Sequence, residues 1–136
     1  MNGLVPTILY VENDPLSCEV MRALLIRALG YKDVTIFEDS AAFEERLETL
    51  PKKPDVIFLD IHMHPLDGFD MLKLIRKHDT YRSTQVVALT ASVMNEEVRT
   101  LRDAGFDGVI AKPITYEVFP GVLDRILKGE QVWNVR

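Results

Sequence analysis

The chain has one cysteine, Cys18, among its 136 residues. An internal disulfide is therefore impossible, and no Cys-x-x-Cys or Cys/His framework for zinc can be assembled. No apolar run comes near the roughly 18 residues that cross a bilayer. A basic segment ahead of the first apolar stretch is also missing, and Glu12-Asn13-Asp14 ends that stretch early, so no signal peptide is expected. Positive charge is in the minority, with 16 Lys and Arg against 21 Asp and Glu and a net charge of −5. A protein that neutralises many phosphates needs clustered Lys and Arg, so nucleic acid is not the expected partner. The nucleotide-cradling patterns Gly-x-x-x-x-Gly-Lys-Ser/Thr and Gly-x-Gly-x-x-Gly do not occur. Repeats, low-complexity tracts and Ser/Gly linkers are absent too. What is left is one domain of ordinary globular composition, large enough to bury a core without a covalent staple and expected in the cytoplasm.

Two periods alternate along the chain. Short apolar runs recur at Thr7–Val11, Val34–Phe37, Asp55–Leu59, Gln85–Leu89 and Gly108–Ala111. Each has strand length, and most are too continuous for a sheet wetted on one face, so strands covered on both sides are expected. Between them lie segments of helical period. Leu16, Val20, Leu24, Leu25, Ala28 and Leu29 form an apolar stripe opened by Pro15 and closed by Gly30. Further helices are expected over Ser40–Leu50, after Gly68, over Asn95–Ala104 with Gly105 as cap, and from near Thr115 to Gly129. Pro120 falls about five residues into the last of these, where it should delete a hydrogen bond and delay or kink the first turn. Five strands alternating with five helices predict a doubly wound parallel α/β sheet. In such sheets ligands bind outside the carboxyl ends of the strands.

Those ends carry chemistry. The first strand runs into Glu12-Asn13-Asp14, the third into Asp60, the fourth into Thr90-Ala91 and the fifth into Lys112-Pro113. If the sheet forms, Glu12 and Asp60 face each other, and two unpaired carboxylates there would raise each other's pKa and attract a cation. A hard divalent ion, Mg²⁺ first, suits carboxylate and carbonyl oxygens, and no Cys or His cluster competes for a softer metal. An ammonium and a hydroxyl beside a carboxylate can cradle an anionic group such as phosphoryl. The set therefore reads as Asp60 accepting a phosphoryl group, with metal on one side and Lys112 on the other. Taken singly, each residue has a plainer reading: Asp60 as a turn residue, Thr90 as a cap, Asp14 as the cap of the first helix.

In these motifs the chain resembles the receiver domains of two-component response regulators, over roughly residues 6–128. The resemblance is carried by Ile8 through Pro15, by Leu59-Asp60-Ile61-His62-Met63 through Asp67-Gly68, by Ala88-Leu89-Thr90-Ala91 and by Gly108 through Pro113. The spacing fits as well, Thr90 lying 30 residues and Lys112 52 residues after Asp60. The resemblance implies a flavodoxin-like fold with strand order 2-1-3-4-5, a receiver domain over residues 1–130 and a short tail over 131–136. It implies Asp60 as phosphoacceptor, with Glu12, Asn13, Asp60 and the backbone carbonyl of His62 around Mg²⁺. Thr90, Lys112 and the Ala91 backbone would then contact the phosphoryl oxygens. The donor would be a histidine kinase or phosphotransfer protein, and the face of helix four, strand five and helix five would carry the state to an unidentified downstream protein. With no output domain expected after Lys128, the protein reads as a stand-alone, non-enzymatic signalling protein, and a homodimer is compatible with it.

Departures from the pattern bear on this reading. Asn13 stands where the family usually has a second acid, which predicts weaker metal binding, and Asp14 is placed to cap the helix instead. The proline after the acceptor falls one place late, at His64-Pro65, and Val109 replaces a switching aromatic. Asn13 and Val109 favour an alternative, a degenerate receiver that binds partners regardless of phosphorylation, and the intact Asp60, Thr90 and Lys112 oppose it. His62-Met63-His64 reads as a loop at a strand exit, with His62 placed to line the path of an attacking water. Trp133 reads either as a partner anchor or as a ring folded back on its own helix. A haloacid-dehalogenase-type hydrolase would want an acid where His62 stands, and a flavin binder would want Ser, Thr or Gly in place of Glu12-Asn13-Asp14.

Overall fold

The computed structural model describes residues 5–133. Strands β1 (Thr7–Val11), β2 (Asp33–Phe37), β3 (Val56–Asp60), β4 (Gln85–Thr90) and β5 (Gly108–Ala111) form one parallel sheet in the order 2-1-3-4-5. They alternate with α1 (Pro15–Arg22, continued by a π-helical turn over Ala23–Ala28), α2 (Phe43–Glu48), α3 (Gly68–Lys77), α4 (Asn95–Ala104) and α5 (Phe119–Leu127). The doubly wound parallel sheet is the one the alternating periods predict, and its flavodoxin-like strand order is the one the resemblance implies. The register sets Val11 beside Leu59, Asp60 beside Leu89 and Thr90 beside Ala111, so the carboxyl ends of β1, β3, β4 and β5 share one rim.

Strand alternation divides the core in two. Leu9, Val11, Ile57, Leu59, Val86, Ala88 and Val109 point to one face, against Phe43 and Leu47 of α2, Met71, Leu72 and Ile75 of α3, and Leu101 of α4. Ile8, Tyr10, Val56, Phe58, Val87, Leu89 and Ile110 point to the other, against Cys18, Met21, Leu24 and Leu25 of the first helix and Phe119, Leu123 and Ile126 of α5. Both faces are covered, which is why the strands read as near-continuous apolar runs.

Three helices differ from expectation. In α1 the buried face is Cys18, Met21, Leu24 and Leu25, whereas Leu16 is 72% and Val20 36% exposed. Apolar side chains cover more than half the circumference of this helix, so periodicity alone allowed two faces. Helix α2 begins at Phe43 rather than Ser40, because Ala42 adopts a left-handed backbone (φ 51°) and the buried Ser40 hydroxyl accepts a bond from the Leu66 N–H at 2.9 Å. Helix α5 begins at Phe119, which puts Pro120 in its first turn, where a missing N–H costs nothing. Delay, rather than a kink, is the outcome.

Of the tail, residues 131–133 are described and 134–136 lie outside the described residues, as do residues 1–4 of the expected domain. Val132 forms a parallel bridge with Gly108, and the Val109 N–H donates to its carbonyl at 2.8 Å. Glycine is required at 108: a Cβ there would stand 2.8 Å from the Val132 oxygen. The Trp133 ring lies 4.8 Å from the Arg102 guanidinium, so it folds against α4 and not against its own helix.

Candidate functional site

Local rules place each residue on the rim. Glu12 follows β1 directly, and Asp14 caps α1, its carboxylate accepting from the Ser17 N–H at 3.0 Å and the Ser17 hydroxyl at 2.7 Å. Asp14 is thus turned to the helix start and not to the rim. Asp60 ends β3, and beyond it Asp67 and Asp70 form a capping box that starts α3. The Lys112 N–H donates to the Thr90 carbonyl at 2.9 Å, tying β5 to β4 just past the last ladder pair, and the peptide bond from Lys112 to Pro113 is cis.

Three charged groups meet. Lys112 Nζ lies 2.9 Å from Glu12 Oε1 and 3.6 Å from Asp60 Oδ2. Glu12 is fully buried, and its carboxylate also accepts from the Tyr10 hydroxyl at 2.9 Å and the Asp14 N–H at 3.1 Å. Asp60 has less support, one bond from the His62 N–H at 3.2 Å and the more distant Lys112. The pKa values follow. Burial and the neighbouring Glu12 push Asp60 up to about 6, with Lys112 opposing. Burial also works against a charge on Glu12, but Asp60, Lys112, Tyr10 and the Asp14 N–H hold its carboxyl below the usual range. Lys112 loses water to burial too, and Glu12 and Asp60 outweigh that to hold its ammonium above the ordinary range.

Thr90 is 5% exposed at the end of β4, and its hydroxyl oxygen accepts from the Ser92 N–H at 3.2 Å. The Ser92 hydroxyl donates to Glu97 in the first turn of α4 at 2.8 Å, so a short relay joins Thr90 to that helix. Asn13, His62 and Ala91 are exposed at the same rim. The structure therefore brings Glu12, Asp60 and Lys112 into direct contact and places Thr90 at the end of β4 and Asn13, His62 and Ala91 on the loops around them. Two carboxylates against one ammonium leave an excess negative charge, and oxygen donors predominate, a set that suits a hard divalent cation. Sequence reasoning missed Tyr10 and the Ser92–Glu97 link. Tyr10 had a signal: two residues before Glu12 in a strand is the same face.

Comparison with known proteins gives the family. A sequence description of the response regulator receiver domain matches residues 8–123. The chain belongs to this receiver family. The probable C4-dicarboxylate response regulator DctR of Halalkalibacterium halodurans is 33% identical over 81% of the chain and 46% of its own length. The polar-differentiation response regulator DivK of Brucella anthropi is 28% identical over 83% of the chain and 89% of its own length. The receiver thus spans less than half of some curated relatives and most of others. Among solved structures, the receiver domain of a sensor histidine kinase from Pseudomonas aeruginosa is 29% identical, covers 96% of this chain and 98% of its own, and has a TM-score of 0.73. That crystal structure has a magnesium ion coordinated in its active site cleft. Chemotaxis response regulator CheY4 of Vibrio cholerae, 24% identical with a TM-score of 0.78 over 90% of this receiver and 99% of its own chain, shares the fold. No helix among the described residues is long and apolar enough to cross a membrane.

Proposed function

We propose that this receiver is a phosphoacceptor in which Asp60 takes a phosphoryl group from a phosphohistidine on a histidine kinase or phosphotransfer partner. A carboxylate oxygen of Asp60 bonds to phosphorus as the phosphorus–nitrogen bond breaks, and the imidazole leaves with that electron pair. The observation that carries the reading is the Lys112 ammonium, 2.9 Å from Glu12 and 3.6 Å from Asp60. From there a small movement takes it to an oxygen of the arriving phosphoryl group. The Thr90 hydroxyl and the Ala91 backbone N–H supply further donors.

Glu12, Asn13, Asp60 and the backbone carbonyl of His62 would hold Mg²⁺. Bound there, the ion would offset the charge of the phosphoryl oxygens during transfer. The excess negative charge of the rim supports this, as does the magnesium-bearing Pseudomonas relative. Asn13 offers a neutral amide oxygen, so metal is held more weakly than by a second acid. When the Thr90 hydroxyl turns to the phosphoryl group, its bond from Ser92 is given up and the start of α4 is free to shift. The α4–β5–α5 face then presents a changed surface to a downstream protein. The reading places the receiver in the cytoplasm, with no catalysis beyond its own phosphorylation and dephosphorylation, a protein rather than nucleic acid as recipient, and a second copy among the candidates.

Acetyl phosphate with Mg²⁺, followed by intact-mass measurement, tests the reading. One phosphoryl group is expected on the wild type and none on Asp60→Ala. No added mass, or a gain that survives Asp60→Ala, would overturn it. That result would favour the second reading, a partner-binding module indifferent to phosphorylation, for which Asn13 and the fully buried Val109 of β5 are the supporting features.

A further inference from the structure

We infer that Tyr10 is a positioning residue of the rim: its hydroxyl fixes the Glu12 carboxylate in the orientation that leaves one lone pair for a cation and keeps Lys112 within reach of Asp60. The inference rests on the phosphoacceptor reading for the consequence in phosphoryl transfer, and on geometry alone for the consequence in metal binding.

Tyr10 is fully buried in β1, on the face covered by α1 and α5. The cluster around it is apolar, with Met21, Leu25, Phe58 and Phe119 among its members, so packing there calls for apolar volume and not for a hydroxyl. A buried phenol needs an acceptor, and a backbone carbonyl is the commonest one. Here the acceptor is the side chain of Glu12, two residues further along the same face, at 2.9 Å. A carboxylate has about four acceptor positions. On Glu12, Oε1 takes Tyr10 and Lys112, both at 2.9 Å, and Oε2 takes the Asp14 N–H at 3.1 Å. Strand, helix entry and β5 thus grip the carboxylate from three directions. The position left over is on Oε2, the oxygen not engaged by Lys112.

The grip also bears on the lysine. Because Oε1 is shared, Lys112 is one of two donors there and stays 3.6 Å from Asp60. Without the phenol, Lys112 is the sole donor to Oε1. It closes on Glu12, draws away from Asp60, and the carboxylate is free to turn about its last bond. Phe at position 10 keeps the ring and removes only the donor.

Tyr10→Phe tests the inference. Calorimetric Mg²⁺ titration of the unphosphorylated protein is expected to show affinity about tenfold weaker, the low end for residues that support metal ligands. In a Glu12→Ala background, which leaves the phenol no side-chain acceptor at position 12, the same change should have less than a twofold further effect, because Tyr10 acts through Glu12. With acetyl phosphate at saturating Mg²⁺, the maximal rate should fall and the half-saturating donor concentration should not. A role in packing alone would lower the urea midpoint and leave the metal affinity in place. Mg²⁺ affinity within twofold of wild type, or an equal loss in the Glu12→Ala background, would overturn the inference. A wild type that binds Mg²⁺ but takes up no phosphoryl group would sink the phosphoacceptor reading and leave the role of Tyr10 in metal binding standing on its own titration.

Discussion

Asp60→Asn should make the receiver more stable at neutral pH. Asp60 is 5% exposed and poorly supported, and its carboxyl is pushed from 3.8 to about 6 by burial and by Glu12. The unfolded chain gives up this proton near pH ~4, so between there and pH 6 the folded chain holds the extra proton. Stability falls with rising pH wherever the folded state binds more protons. The loss begins near the unfolded pKa and is complete above the folded one. At about 1.4 kcal/mol per pH unit, it amounts to ~3 kcal/mol at pH 7.5. Asparagine keeps the shape, removes the charge, and leaves Lys112 its 2.9 Å contact with Glu12. Urea unfolding without metal should therefore show Asp60→Asn ahead by ~3 kcal/mol at pH 7.5, or roughly 10 °C in Tm. The gap should close toward pH 4, where wild-type Asp60 is protonated. Saturating Mg²⁺ should narrow it from the other side, because only the wild type gains fully from the ion. A variant no more stable than wild type at pH 7.5, or a gap independent of pH, would refute the charge account of this rim.

Two further changes probe other parts of the chain. Asn13→Asp should strengthen Mg²⁺ binding by about tenfold, since a carboxylate replaces a neutral amide among hard-ion ligands, while lowering metal-free stability at pH 7.5 by adding a third acid; equal affinity in calorimetric titration would count against Asn13 as a ligand. Gly108→Ala should expel the end of the chain, because the new Cβ meets the Val132 oxygen at 2.8 Å. With Val132 losing its burial, stability should drop by ~1.5–3 kcal/mol. Trp133, the single tryptophan, should shift its emission to the red and become open to acrylamide, and an unchanged spectrum would refute the contact.

Much of this architecture was legible in the residues. Val56 to Leu59 and Val86 to Leu89 are buried on both faces, so nothing polar interrupts them, and length alone separates them from helices. Once five such runs are parallel, their carboxyl ends must share a rim, which is why Glu12, Asp60, Thr90 and Lys112 could be grouped across up to 100 residues of sequence. What was hidden depends on distant partners. Ala42 takes a left-handed backbone, at a cost of about 1–2 kcal/mol, where Phe43 turns into the core and Ser40 binds the loop before α3; no local signal announces that. The buried face of α1 is Cys18 and Met21 and not Leu16 and Val20, a choice between two apolar arcs that only the sheet beneath could make. The docking of Val132 depends on a missing side chain at Gly108, far off in the sequence.

That docking has a further consequence. An unpaired strand at the margin of a sheet is a template on which another chain can build, and a five-stranded open sheet has two such margins. At the start of β5 the bridge from Val132 already fills the vacancy. Among the described residues the margin with no such partner is β2, five residues long, with an exposed Lys32 just before it and Lys52 held 3.0 Å from Asp33 at its first residue. A further backbone laid along β2 would have to desolvate Lys32 and disturb the Lys52–Asp33 pair. A strap at one margin and charged side chains at the other are the features that discourage an added strand on an open sheet.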